Sequence, residues 1–255
     1  KTFMILDTIG FSGTHSISHI LENYSKNTYI VHGSKNPFTK DKMGENNLSE
    51  YEFLKSIKEL EKELEKKIIV IHCFYPPQNI IPLCKKFKIN FSLLVRNPID
   101  QIRSCYFYGL KKILKGDKYI YNEITSNQSE KEPIFNTLKI NNNLANNLFI
   151  WSFQRINLYN LNAIQMGSKF YQMESLLNDI SNLENLFEVE ISKKFVKDFR
   201  KINKYSHKNI IENLSDKLEG FQAPDEDVLI NSLTCSIRGK SVSFSQIQEL
   251  LGYKK

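Results

Sequence analysis

This chain has no apolar run long enough to cross a bilayer; its longest are strand-length. It has four cysteines in 255 residues and no Cys-x-x-Cys pair. Neither a disulfide framework nor a cysteine metal cluster is expected, and Cys73, Cys84, Cys105 and Cys235 read as reduced core thiols. There is no metal-ligand cluster, no internal repeat, no linker-like stretch and no block of like charge. A single domain over residues 1–255 is therefore expected. No signal peptide is visible, so the expected location is cytoplasmic. Lysines and arginines do not interleave with aromatics in any patch, which leaves a nucleic-acid binder without its footprint.

What is present is a sizeable core and an excess of positive charge. The chain is 41% hydrophobic and 12% aromatic, with a formal charge of +7. That charge favours an anionic partner: nucleic acid, a membrane surface or a phosphorylated small molecule. Its even spread argues against a nucleic-acid tail.

The most informative stretch is FSLLVRNPIDQIRSCY, from Phe91 to Tyr106. Phe91 to Val95 reads as a strand buried on both faces. Asn97 is a good N-cap, Pro98 fits the first helical position, and Asp100 stands where a capping-box acid would. A helix N-terminus at the carboxyl end of a strand is a ready anion site. Arg96 stands at that mouth, and Ser104 lies two turns on, roughly 10 Å along the axis. Together they could grip one phosphate. The alternative is a well-capped helix with Arg96 in a structural ion pair.

Elsewhere, Thr2 to Leu6 reads as a strand, followed by the small-residue turn DTIGFSGTHS and a helix from Ser16 to Tyr24. Thr28 to Val31 and Lys67 to His72 read as further strands, with a charged amphipathic helix from Ser49 to Lys66 between them. A helix to about Phe87 follows Pro76 and Pro77. Lys115 to Pro133 shows no periodicity and reads as a mobile flap. A long helix is expected from Ile134 to Ile164, a last strand from Lys169 to Met173, and a final helix near Ser245 to Leu251. Alternating strands and helices predict an α/β, three-layer fold: a mostly parallel sheet of four to five strands flanked by helices. Such sheets bind ligands at the carboxyl ends of their strands.

Three strand ends carry chemistry. Gly10 to Ser16 is not a Walker A loop, since it lacks the Gly-Lys-Ser/Thr ending. Gly10 and Gly13 still allow close backbone approach, and Ser12, Thr14 and Ser16 supply hydroxyls, as a phosphate cradle requires. A plain βα turn is the alternative. His72 follows the third strand and is either a general base or a structural histidine.

These residues resemble the sulfotransferases that use 3′-phosphoadenosine 5′-phosphosulfate (PAPS). That family has a P-K-S-G-T-T loop after its first strand; here the loop is Gly10-Phe11-Ser12-Gly13-Thr14-His15. It has a later strand ending in R-N-P-x-D-x-x-x-S, matched in full from Arg96 to Ser104. His72, with Pro76 close behind, is similar to the family's K-T-H-x-P setting. Phe170-Tyr171-Gln172-Met173 is similar to its F-Y-E-D segment, and Arg238-Gly239-Lys240 loosely to its R-K-G loop.

The resemblance implies a P-loop NTPase-like fold and transfer of a sulfuryl group from PAPS to a hydroxyl or amine. The acceptor would be a small molecule, carbohydrate or lipid. It implies that Phe11 to Ser16 hold the 5′-phosphosulfate and that Arg96 and Ser104 hold the 3′-phosphate, helped by Arg238, Gly239 and Lys240. Tyr171 would lie against adenine, and His72 would be the base. No metal and no nucleic acid are implied. The departure is Phe11, where the family has Lys or Arg; His15, Lys35 and Lys40 are the candidate replacements. The alternative is a catalytically impaired module of the same fold that binds PAPS or its product, 3′-phosphoadenosine 5′-phosphate (PAP).

Overall fold

A computed structural model describes residues 3–39, 43–45, 48–126, 143–192 and 223–253. The chain forms two compact units. One comprises Lys1–Asn97 and Tyr159–Lys204; the other comprises Pro98–Leu158 and Tyr205–Lys255.

The first unit is built on a parallel sheet. Its strands are β1 (Met4–Asp7), β2 (Thr28–Gly33), β3 (Met43–Gly44), β4 (Lys67–Ile71), β5 (Asn90–Val95) and β6 (Lys169–Gln172). Their order is β3-β2-β4-β1-β5-β6, and every pair is parallel. β1 is thus flanked by β4 and β5, the two strands whose ends carry His72 and Arg96. Leu6 is in register with Ile71, and Asp7 with Leu93. The two-residue β3 raises the count beyond the expected four or five. Its sequence carries no apolar run, and it forms because Gly33 and Gly44 meet with no side chain between them. A Cβ at Gly33 would lie 2.2 Å from the Gly44 carbonyl oxygen.

Helices α1 (Thr14–Tyr24), α2 (Glu50–Glu63) and α3 (Pro77–Phe87) connect these strands. One sheet face buries Met4, Leu6, Ile69, Ile71 and Leu94 against Ile17, Ile20 and Leu21 of α1. The opposite-facing Ile5, Val31, Val70, Leu93 and Val95 are buried as well, and α2 packs on β4 and α3 on β5. Double burial explains why these strands read as continuous apolar runs. α2 begins at a Ser49/Glu52 capping box, which fixes its start one residue after Ser49.

In the second unit, α4 (Pro98–Leu114) carries Ser104 and α5 spans Lys118–Ser126. The expected flap from Lys115 to Pro133 is therefore helical from Lys118 to Ser126, and residues 127–142 lie outside the described residues. α6 (Leu144–Gln165) begins in this unit and ends in the first. Gly109 of α4 lies so close to Leu148 that a Cβ would meet its Cδ1 at 2.8 Å. Trp151 donates from Nε1 to Glu123 of α5 at 2.8 Å.

Two short helices follow β6 in the first unit, α7 (Met173–Asn178) and α8 (Ile180–Phe187). The second unit ends with α9 (Glu226–Ser232), an antiparallel hairpin of β7 (Thr234–Ile237) and β8 (Lys240–Ser243), and α10 (Phe244–Leu250). Arg238 and Gly239 form the hairpin turn, both with positive φ (48° and 75°), as a primed two-residue turn requires.

Candidate functional site

The Gly10–Ser16 turn leaves β1 at the centre of the sheet. Gly10, Phe11 and Gly13 all have positive φ (101°, 64° and 72°). Beneath it, Thr8 and Ser12 are fully buried and share a 2.9 Å hydroxyl hydrogen bond. Ser12 also donates to the Gly10 carbonyl at 3.2 Å. Ser12 is thus spent on folding the turn. Gly13 is the N-cap of α1, and no side chain caps the helix. The first-turn amides of Thr14, His15 and Ser16 therefore point outward from a helix with no acid in that turn.

Arg96, at the end of β5, donates from Nη1 to the Phe11 carbonyl at 3.3 Å. The guanidinium has thus reached the residue where the resemblance places a cation. The backbone N–H of Asn97 donates to Glu174 of α7 at 3.0 Å. Glu174 thereby takes the place that the capping-box reading gives to Asp100.

On the other flank, His72 stands over Gly10. A Cβ at residue 10 would sit 3.6 Å from its Nε2. Its φ of 58° and the 68° of Phe74 put two bulky residues in the left-handed region within three positions. Such strain collects at functional sites. His72 is 7% exposed and its Nδ1 lies 3.7 Å from Oδ1 of Asp7, the last residue of β1. Asp7 is fully buried. It accepts from the Cys73 amide (2.9 Å), the Cys73 thiol (3.1 Å) and the Tyr159 hydroxyl. Burial first, and then the Asp7 charge, push both the Cys73 thiol and the Tyr159 phenol well up, so both stay protonated donors.

A second histidine line reaches the same place. His15 is exposed on α1 and stacks on His32, with ring centroids 4.5 Å apart. His32, the last residue but one of β2, meets the His72 ring at 5.9 Å. Asp7, Tyr159 and His32 are not legible as site residues from sequence motifs. For His32 a signal was there: TYIVH and IIVIH are two strands that end alike.

The remaining expected residues fall elsewhere. Tyr171 is half-buried on β6 and lines a cavity of about 300 Å³ with Gln172, Ser175, Asn182 and Asn185. Ser104 is half-buried on α4, while Arg238, Gly239 and Lys240 are exposed on the hairpin; all four belong to the second unit. Lys35 is half-buried, and Lys40 lies outside the described residues. Of the aromatics expected in the core, Tyr75 is buried. Phe74 and Phe107 are only half-buried and Tyr108 is 46% exposed, since Phe74 lies on the His72 ring and Tyr108 takes Lys112 over its face.

Among the described residues, no helix is long and apolar enough to cross a membrane. No family model matches the chain, and no curated protein does. Among the solved structures that resemble it are the following two. One is a sulfotransferase from Alicyclobacillus acidocaldarius: 10% identity, TM-score 0.44, covering 85% of this chain and 90% of that one. The other is a mouse sulfotransferase in complex with PAP: 12% identity, TM-score 0.46, covering 93% of this chain and 73% of that one. Both are sulfotransferases.

Proposed function

We propose that the chain is a sulfotransferase that takes its sulfuryl group from PAPS and passes it to a hydroxyl or amine of a small-molecule, carbohydrate or lipid acceptor. One observation carries the reading. The two strands beside β1 deliver His72 and Arg96 to opposite flanks of one glycine-rich turn. The turn fits an anion: the space above Gly10, in front of His72 Nε2, is space that any side chain would fill.

When bound, PAPS supplies a sulfuryl group activated by a good leaving phosphate. The amides of Thr14, His15 and Ser16 would hold its 5′ end, and Arg96 its 3′-phosphate, with Ser104, Arg238, Gly239 and Lys240 as further candidates and Tyr171 at the base. His72 would accept the acceptor's proton at Nε2. The imidazolium so formed gains Asp7 as a countercharge. Most of the rate would come from positioning and charge neutralisation.

Titration calorimetry with PAP against AMP tests the nucleotide reading, and transfer of labelled sulfate from PAPS across an acceptor panel tests the enzyme. Preference for PAP with turnover is expected; no preference for the 3′-phosphate removes the reading. Phe11 supports a second possibility, a module that binds PAP without turnover, because its side chain brings no charge to the turn. PAP preference without turnover on any acceptor would favour that.

A further inference from the structure

The proposed chemistry uses His72 and leaves His32 without a task. Yet His32 is 6% exposed, and its Nε2 is buried without a hydrogen-bond partner. Such an atom is normally satisfied, and an incoming ligand atom would satisfy it. Its neighbours are His15 from α1, stacked 26° from parallel, and His72 from the end of β4, edge-on at 70°. Lys35 lies three residues further along the chain. Asp7 is the carboxylate that faces Nδ1 of His72, and Glu174 stands at the same end of the sheet, on the Asn97 amide. Stacked imidazole faces do not converge their nitrogens, and no group of three His, Cys, Asp or Glu among the described residues is placed to hold a metal.

We infer that the row His15–His32–His72, beside the uncapped start of α1, is a subsite for a tetrahedral oxyanion that takes up a proton from water as the anion binds. It rests on reading the Gly10–Ser16 turn as an anion cradle. No covalent bond forms or breaks. The proton comes from solvent and returns to it when the anion leaves.

The physical case is one of mutual dependence. Without an anion, burial and the two neighbouring imidazoles hold His32 down at about 4, so the middle of the row is neutral near pH 7. An oxyanion supplies the countercharge that His32 lacks and offsets the repulsion from its two neighbours. Whatever favours protonation of His32 then favours the anion by the same factor. The middle ring becomes positive only when there is something negative to hold.

Inorganic sulfate is the probe, because it keeps one charge state across the range used. Calorimetry in two buffers of different ionisation heat reads proton uptake directly. Sulfate affinity is expected to rise about fivefold to tenfold per pH unit from about pH 7.5 to about pH 6, the limit for one proton being tenfold. His32→Phe keeps a ring in the row and should abolish both the pH dependence and the buffer-dependent heat. If that variant does not fold, His15→Leu, at an exposed position, should weaken both. Sulfate binding that is absent, pH-independent, or unchanged in the folded variant overturns the inference. A parallel arm with PAP and AMP separates the two readings. PAP preference without proton coupling leaves the nucleotide reading standing alone. Proton-coupled sulfate binding without PAP preference leaves the subsite and removes the sulfotransferase.

Discussion

Oδ1 of Asp7 lies 3.7 Å from Nδ1 of His72, and that carboxylate is completely buried. A buried carboxylate is tolerated only where hydrogen bonds replace its hydration. Cys73 and Tyr159 supply three of them. The fourth direction is left to the ring that stands over Gly10.

Tyr159→Phe removes one donor from Asp7, and should cost about 1–3 kcal/mol in urea unfolding. Asp7→Leu strands all three donors and should cost more, about 3–5 kcal/mol. The double variant should fall short of the sum by about 1 kcal/mol, because the hydroxyl can be lost only once. Strict additivity would mean that the two groups do not act together.

Gly13→Ala meets two obstacles. The backbone is left-handed, at φ 72°, and the new Cβ would lie 2.6 Å from Sδ of Met173. A cost of about 2–3 kcal/mol is expected from strain and overpacking together. In a Met173→Ala background the collision disappears and about 1 kcal/mol of dihedral strain should remain. Equal costs in both backgrounds would show that the sulfur yields freely.

His32 should leave a mark on acid stability. Its value is lowered to about 4 in the fold, against the ordinary 6.5 of an unfolded chain. Below about pH 6.5 the unfolded state therefore binds the proton that the folded state refuses, and stability falls as pH drops toward 4. Above that window His32 has no effect on the slope. His32→Phe should flatten the acid limb by on the order of 2 kcal/mol, read as the difference between the two pH–stability curves. Parallel curves would show that the ring titrates normally.

Arg96→Ala should weaken PAP about 10- to 100-fold, the range of one or two charge-assisted hydrogen bonds. AMP should be affected much less. Equal losses for both nucleotides would assign Arg96 to holding the turn through Phe11 and not to the ribose-borne phosphate.

The parts of the molecule that obey local rules are legible in the sequence alone. β1, β4 and β5 are apolar runs because both of their faces are covered, and Ser49 and Pro98 mark helix starts by their chemistry. The rest depends on partners far along the chain. β3 exists through pairing of Gly33 with Gly44. α5 carries too little periodicity to stand out, and it is tied by Glu123 to Trp151. The β7–β8 turn uses Arg238 with positive φ, a conformation that arginine seldom adopts. Asp7 reads as the polar end of a strand, since nothing in MILD reveals that Tyr159, 152 positions away, would reach it.

The glycine pair at residues 33 and 44 has a further consequence. Main chain touches main chain there, so the stretch between is clasped at its base whatever its own side chains are. Lengthening such a closed loop is cheap, about 0.6 kcal/mol for each doubling. Natural variation or library design can therefore reshape that stretch, insertions included, while the clasp and the histidine beside it stay fixed.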